Sequence, residues 1–212
     1  MKKIVLSLFA IGMLSAIVVS CQKEKEKIEN NSSVARKTSF NGSNQDSHSM
    51  RIELLSFGKD EQKQLFNTLK PEQKAGLWKD KINEVLNKND FNNYQMELLK
   101  ELLNNISKEL YIPGSMQEKQ FKEVFHKEWI AKAKGQFIFD DLVIIVGSLD
   151  TFENNKGPIS GGGGDRVDDC ECSTSSDWCS MNMTCKTSRC IDSAHGCGTL
   201  WTYSCKGMCG WN

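Results

Sequence analysis

Between about residues 51 and 155, apolar side chains recur at steps of three and four, the spacing of a helix with one buried face. In "PEQKAGLWKDKINEVLNK", Pro71 suits a first helical position and Glu72 follows it in the first turn. Ala75, Trp78, Ile82, Val85 and Leu86 then line one face. "NNYQMELLKELLNNISKEL" repeats the pattern: Met96, Leu99, Leu103, Ile106 and Leu110 make an apolar stripe, Lys and Glu lie opposite, and Pro113-Gly114 ends the helix. Ser115 and Glu118 have the spacing of a capping box. Phe121, Val124, Phe125 and Trp129 follow on one side, with Gly135 as the C-cap. "FIFDDLVIIVGSLDTF" is β-branched enough for a buried strand, but its setting among helices favours a short core helix from near Asp140. The expected fold for 51–155 is a small all-α helical bundle with the tryptophans and phenylalanines in its core.

The two ends of the chain follow other rules. Residues 1–20 have a cationic start at Lys2 and Lys3, an apolar run, and small residues before Cys21, the layout of an export signal. Residues 21–50 contain almost no apolar side chains and are expected to be a disordered tether. Residues 156–168 include Gly161 to Gly164 and read as a linker, either a hinge or an exposed processing site. Residues 169–212 form a separate segment, defined by its cysteines.

That segment holds Cys170, Cys172, Cys179, Cys185, Cys190, Cys197, Cys205 and Cys209, eight of the nine cysteines in the chain. Metal sites use paired CxxC or Cys–His clusters, and the gaps here do not follow that spacing. A redox CxxC is also missing. Cysteines in an exported chain oxidise and stay paired, and so small an apolar complement needs covalent staples to fold. We therefore expect four disulfides in a small module with little regular secondary structure. Eight cysteines allow roughly a hundred pairings, and sequence does not choose among them.

Charge adds exclusions. The 27 basic and 27 acidic side chains balance, so no basic face for nucleic acid is expected. From Asp165 onward six acids outnumber four bases, which argues against a cationic peptide that dissolves anionic membranes. No phosphate loop, nucleophile elbow or zinc-protease spacing surrounds His126 or any acidic pair, so no catalytic residue, metal or cofactor is assigned. The stapled segment nevertheless holds Trp178, Trp201 and Trp211, three of the five tryptophans, together with Tyr203. With so little core available, some of these rings should be exposed as target contacts, and at least one, Trp201 first, should pack as substitute core.

Three resemblances give these elements a biological setting. Val18-Val19-Ser20-Cys21 resembles the lipobox of bacterial lipoproteins, which implies cleavage before Cys21 and acylation of its thiol as a membrane anchor. Gln22-Lys23-Glu24 resembles signals that send lipoproteins to the outer face of the outer membrane. "CECSTSSDWC" followed by "GCGTLWTYSC" resembles the fulvocin C-related bacteriocins, small cysteine-rich antibacterial proteins, over residues 170–205. That likeness implies a secreted, disulfide-bridged toxin fold that kills related bacteria. Its partners would be an envelope component or receptor on the target cell and an immunity protein. The other functional expectation is a surface-displayed binding or adhesion module, or an inhibitor, without killing activity. Whether the C-terminal module is released or displayed stays open at this level.

Overall fold

Helix formation begins earlier than the apolar periodicity indicates. In the computed structural model, which describes residues 46–88, 91–152, 170–176, 178–179 and 183–211, α1 spans Ser47–Leu55. The Asp46 carboxylate caps it by accepting from the Ser49 amide at 3.0 Å. The last residues of the expected tether are therefore helical. The export signal, Cys21, the rest of the tether and the Gly161–Gly164 stretch lie outside the described residues. No helix among the described residues is long and apolar enough to cross a membrane.

Helix α2 (Lys59–Thr68) carries Asp60 and Glu61 in its first turn, the favourable end of the helix dipole for acids. Helix α3 (Pro71–Lys88) buries Ala75, Trp78, Ile82 and Val85, the expected face, and adds Leu77. Helix α4 (Asn93–Asn105) starts from a complete capping box between Asn92 and Gln95. Here the expected stripe shifts: α4 ends five residues short of Leu110, and its buried face is Leu98, Leu99 and Leu102. Ile106 adopts extended backbone after Asn104-Asn105, both poor helix formers, and a 3-10 turn over Lys108–Tyr111 follows. Leu110 and Tyr111 are buried from that turn.

The next helix is interrupted. Ser115 caps α5 (Met116–Gln120) by accepting from the Glu118 amide at 3.0 Å, while Glu118 reaches back to the Gly114 amide, one residue earlier than a standard box. A π turn over Phe121–Phe125 leads into α6 (His126–Lys134), which ends at Gly135. The extra residue in that turn rotates the register, so Val124 is 53% exposed and His126 joins Phe121, Trp129, Ile130 and Ala133 on the buried side. "FDDLVIIV" forms α7 (Phe139–Val146), the helix alternative at that segment.

Two buried cations hold the chain after α7 against α1 and α3. Arg51, fully buried, donates to Asp80 at 2.7 Å, to Glu84, and to the Leu149 carbonyl at 3.0 Å. Lys81 donates to the Asp150 carbonyl. Trp129 Nε1 donates to the Leu98 carbonyl at 2.8 Å and ties α6 to α4.

The cysteine-rich segment has more regular structure than expected. β1 (Met183–Thr187) pairs antiparallel with β4 (Gly207–Trp211), and β2 (Ser193–Cys197) pairs antiparallel with β3 (Tyr203–Cys205). Glu171 and Cys172 join the first sheet: their amides donate to the Gly207 carbonyl, and the Gly207 amide donates back to the Cys172 carbonyl. Backbone pairing thus does work that composition alone assigned to the staples.

Candidate functional site

Four disulfides define the tip: Cys170–Cys190, Cys172–Cys185, Cys179–Cys209 and Cys197–Cys205. Cys170, Cys190, Cys197 and Cys205 pack together as the tip's own small core. The other two bridges lie side by side across the β1–β4 pair. Cys185 and Cys209 face each other in register, yet each is bonded elsewhere, to Cys172 and Cys179. The sulfurs of Cys172, Cys179 and Cys209 come within 4.8 Å of one another, but all three are held in disulfides, so no thiolate is offered to a metal. Gly207 is required at this crossing, since a Cβ there would sit 2.5 Å from the Lys186 carbonyl oxygen and 2.9 Å from Cys185 Sγ.

The turn between β2 and β3 departs most from ordinary backbone. Gly198, Leu200 and Trp201 have φ of 69°, 57° and 52°, and left-handed backbone is unfavourable for the two bulky residues. Such positions cost on the order of 1–3 kcal/mol each and persist where surrounding packing dictates them. That packing is visible. The Trp201 ring stands edge-on to Phe66 at 5.1 Å and to Trp78 at 5.8 Å, and its Nε1 donates to the Gly147 carbonyl at 2.8 Å. Leu200 is fully buried, and its carbonyl accepts from the Tyr111 hydroxyl at 3.1 Å. Gly198 cannot carry a side chain, because a Cβ would meet Tyr203 Cδ2 at 2.5 Å.

A polar cluster surrounds this plug. The buried His126 has Thr199 Oγ1 at 2.8 Å from Nε2 and the Tyr203 hydroxyl at 2.8 Å from Nδ1. Both partners are hydroxyls, which can donate or accept, so either neutral tautomer is satisfied. Thr199 also accepts from Trp178 Nε1 at 2.9 Å, and the Trp178 ring lies 6.3 Å from Phe139 on α7. Burial pushes the phenols of Tyr111 and Tyr203 above the ordinary tyrosine range, which keeps both protonated and able to donate. The arrangement joins the tip to the helices with matched hydrogen bonds. The Thr199 hydroxyl and the His126 imidazole it touches are both buried, at 0% and 4% exposure.

The four aromatic residues expected as target contacts therefore separate. Trp201, 4% exposed, and Tyr203 are buried against the helices. Trp201 does act as core, packed on Phe66 and Trp78. Trp178 is half-buried in the same interface. Trp211, at 68% exposure on the outer end of β4, is the one that faces solvent. Sequence reasoning gave His126 no role and did not single out Thr199, and no local pattern marks either: the two partners of His126 lie 73 and 77 positions away in the chain. No protein-family model, curated protein or solved structure matches the chain.

Proposed function

We propose that the chain is a bacteriocin-like antibacterial protein whose cysteine-rich tip acts on the envelope of related bacteria while seated on its helices. In this reading it is exported, cleaved before Cys21 and lipid-anchored to the outer membrane, and an immunity protein protects the producing cell. The motifs "CECSTSSDWC" and "GCGTLWTYSC" carry the antibacterial part of the reading, and the four-disulfide tip is consistent with it. The seating of Leu200 and Trp201 in the helices favours action as one body over a free tip, which would leave both side chains in water.

The test compares oxidised protein, reduced and alkylated protein, and the separately oxidised tip (residues 169–212) on lawns of related strains. Inhibition by the oxidised protein, lost on reduction, is the expected result. A lack of inhibition of every related strain removes the antibacterial reading. Greater potency of the free tip would instead point to release.

A second reading has one observation in its favour. The exposed Trp211, on a tip held fixed by the helices, suits a displayed binding or adhesion module without killing activity. Trp211→Ala should then abolish attachment to glycan or protein targets and leave the melting temperature unchanged. Undiminished attachment would count against it.

A further inference from the structure

We propose that the cleft between α2, the start of α3, the 3-10 turn and β2 binds small carboxylates carried on an apolar body. The cleft has a volume of about 590 Å³, a size suited to a small organic ligand. Leu69, Pro71, Tyr111 and Pro113 supply apolar wall, and Lys74 and His195 supply polar chemistry. This inference is independent of the antibacterial reading.

Lys74 carries the argument. Its side chain is 5% exposed, yet no carboxylate among the described residues pairs with it. Its ammonium makes one hydrogen bond, to the Asn67 carbonyl at 3.3 Å, and lies 5.4 Å from the Phe66 ring centre. A buried cation with spare donors is costly unless an anion completes it. The same burial holds the Lys74 amine below its ordinary value. The nearby acid is already engaged: Glu118 accepts from Lys122 at 2.6 Å and from the Gly114 amide at 2.6 Å.

The surroundings select the charge and shape of the ligand. Burial and the neighbouring Lys74 and Lys122 hold His195 neutral at pH 7, with Glu118 acting weakly the other way. Among the described residues the site thus offers one ammonium without a carboxylate partner, which matches a monoanion better than a phosphate dianion. Its apolar walls call for a hydrocarbon or aromatic body. The ligand could be a free acid or the C-terminal residue of an apolar peptide, since both present the same group. The cleft is closed on one side by Asn67, whose Nδ2 donates to the Lys63 carbonyl at 2.9 Å and to the His195 carbonyl at 3.1 Å. An occupant would therefore touch both the helices and β2 and would stabilise their union.

Titrations of the oxidised protein with 3-phenylpropionate and with the neutral 3-phenylpropanol, followed by amide NMR shifts, test the site. We expect the acid to bind at least about tenfold more tightly than the alcohol. Lys74→Met, which keeps the packed stem, should remove that preference and leave alcohol binding in place. Equal binding of acid and alcohol to the unaltered protein, no binding of the acid at about 10 mM, or an undiminished preference in Lys74→Met would overturn the proposal. The wild-type comparison stands even if the variant does not fold. Acetyl-Leu-Phe and its C-terminal amide form the last arm. Tighter binding of the peptide acid than of phenylpropionate assigns the site to chain termini, and weaker binding assigns it to free acids.

Discussion

Trp201 joins the tip to the helical core. It couples two edge-on aromatic contacts, a buried indole hydrogen bond and a left-handed backbone. Trp201→Ala should cost about 3–5 kcal/mol, read by urea unfolding followed through helical circular dichroism. Gly198→Ala should also destabilise, because φ of 69° and the Tyr203 ring both oppose a methyl group. His195 adds a pH dependence. Its pKa falls from 6.5 to about 4 in the folded protein, chiefly through burial and then through Lys74 and Lys122. The unfolded chain therefore binds the proton first, and the stabilising contribution present above pH 6.5 is lost as pH falls toward 4. His195→Asn should flatten that part of the stability profile; an unchanged slope between these limits would show that other groups set it. The roles of Gly198 and His195 were not legible from sequence. Trp201 could be named as core, but not its companions, because Phe66 and Trp78 lie more than a hundred positions away.

At the scale of elements, legibility followed locality. The buried face of α3 could be read because 3.6-residue periodicity is a property of the segment itself. Helix α1 was missed because its sequence, "SHSMRIELL", has little amphipathic contrast, although Asp46 and Ser49 carry a cap signal. The helix after Ser115 was anticipated, but not its π turn, which exists where His126 must reach Thr199 and Tyr203. The strands of the tip escaped notice because β1 and β4 are short and broken by cysteine and glycine, and their pairing spans some twenty residues. Cys197–Cys205 closes the β2–β3 turn and holds the plug in shape. Replacing both cysteines with serine should cost about 2–4 kcal/mol, measured by thermal unfolding. The loss should appear in the helical signal as well as in the tip.

For the whole molecule, Asn41–Asn212 forms one compact unit. Oxidised protein should accordingly unfold in a single transition, with tryptophan fluorescence and helical circular dichroism coincident. Two separated transitions would show that the seat of Trp201 adds little. Reduction of the disulfides should lower the helical melting temperature, since the strained turn then loses its frame. Composition and cysteine count did separate a helical part from a stapled part. What they could not convey is that a segment with its own covalent framework shares an aromatic core with its neighbour, since shared cores depend on contacts between distant stretches.

The inward-facing turn also limits what can be built from this tip. Residues 169–212 are not a portable cassette: moved to another carrier, they would bring Leu200 and Trp201 without the Phe66–Trp78 socket that covers them. A chimera would have to transplant that socket, redesign the turn, or accept self-association through the bared ring. Any exchange of this tip between carriers would meet the same constraint, so the tip and its helical seat should be inherited together.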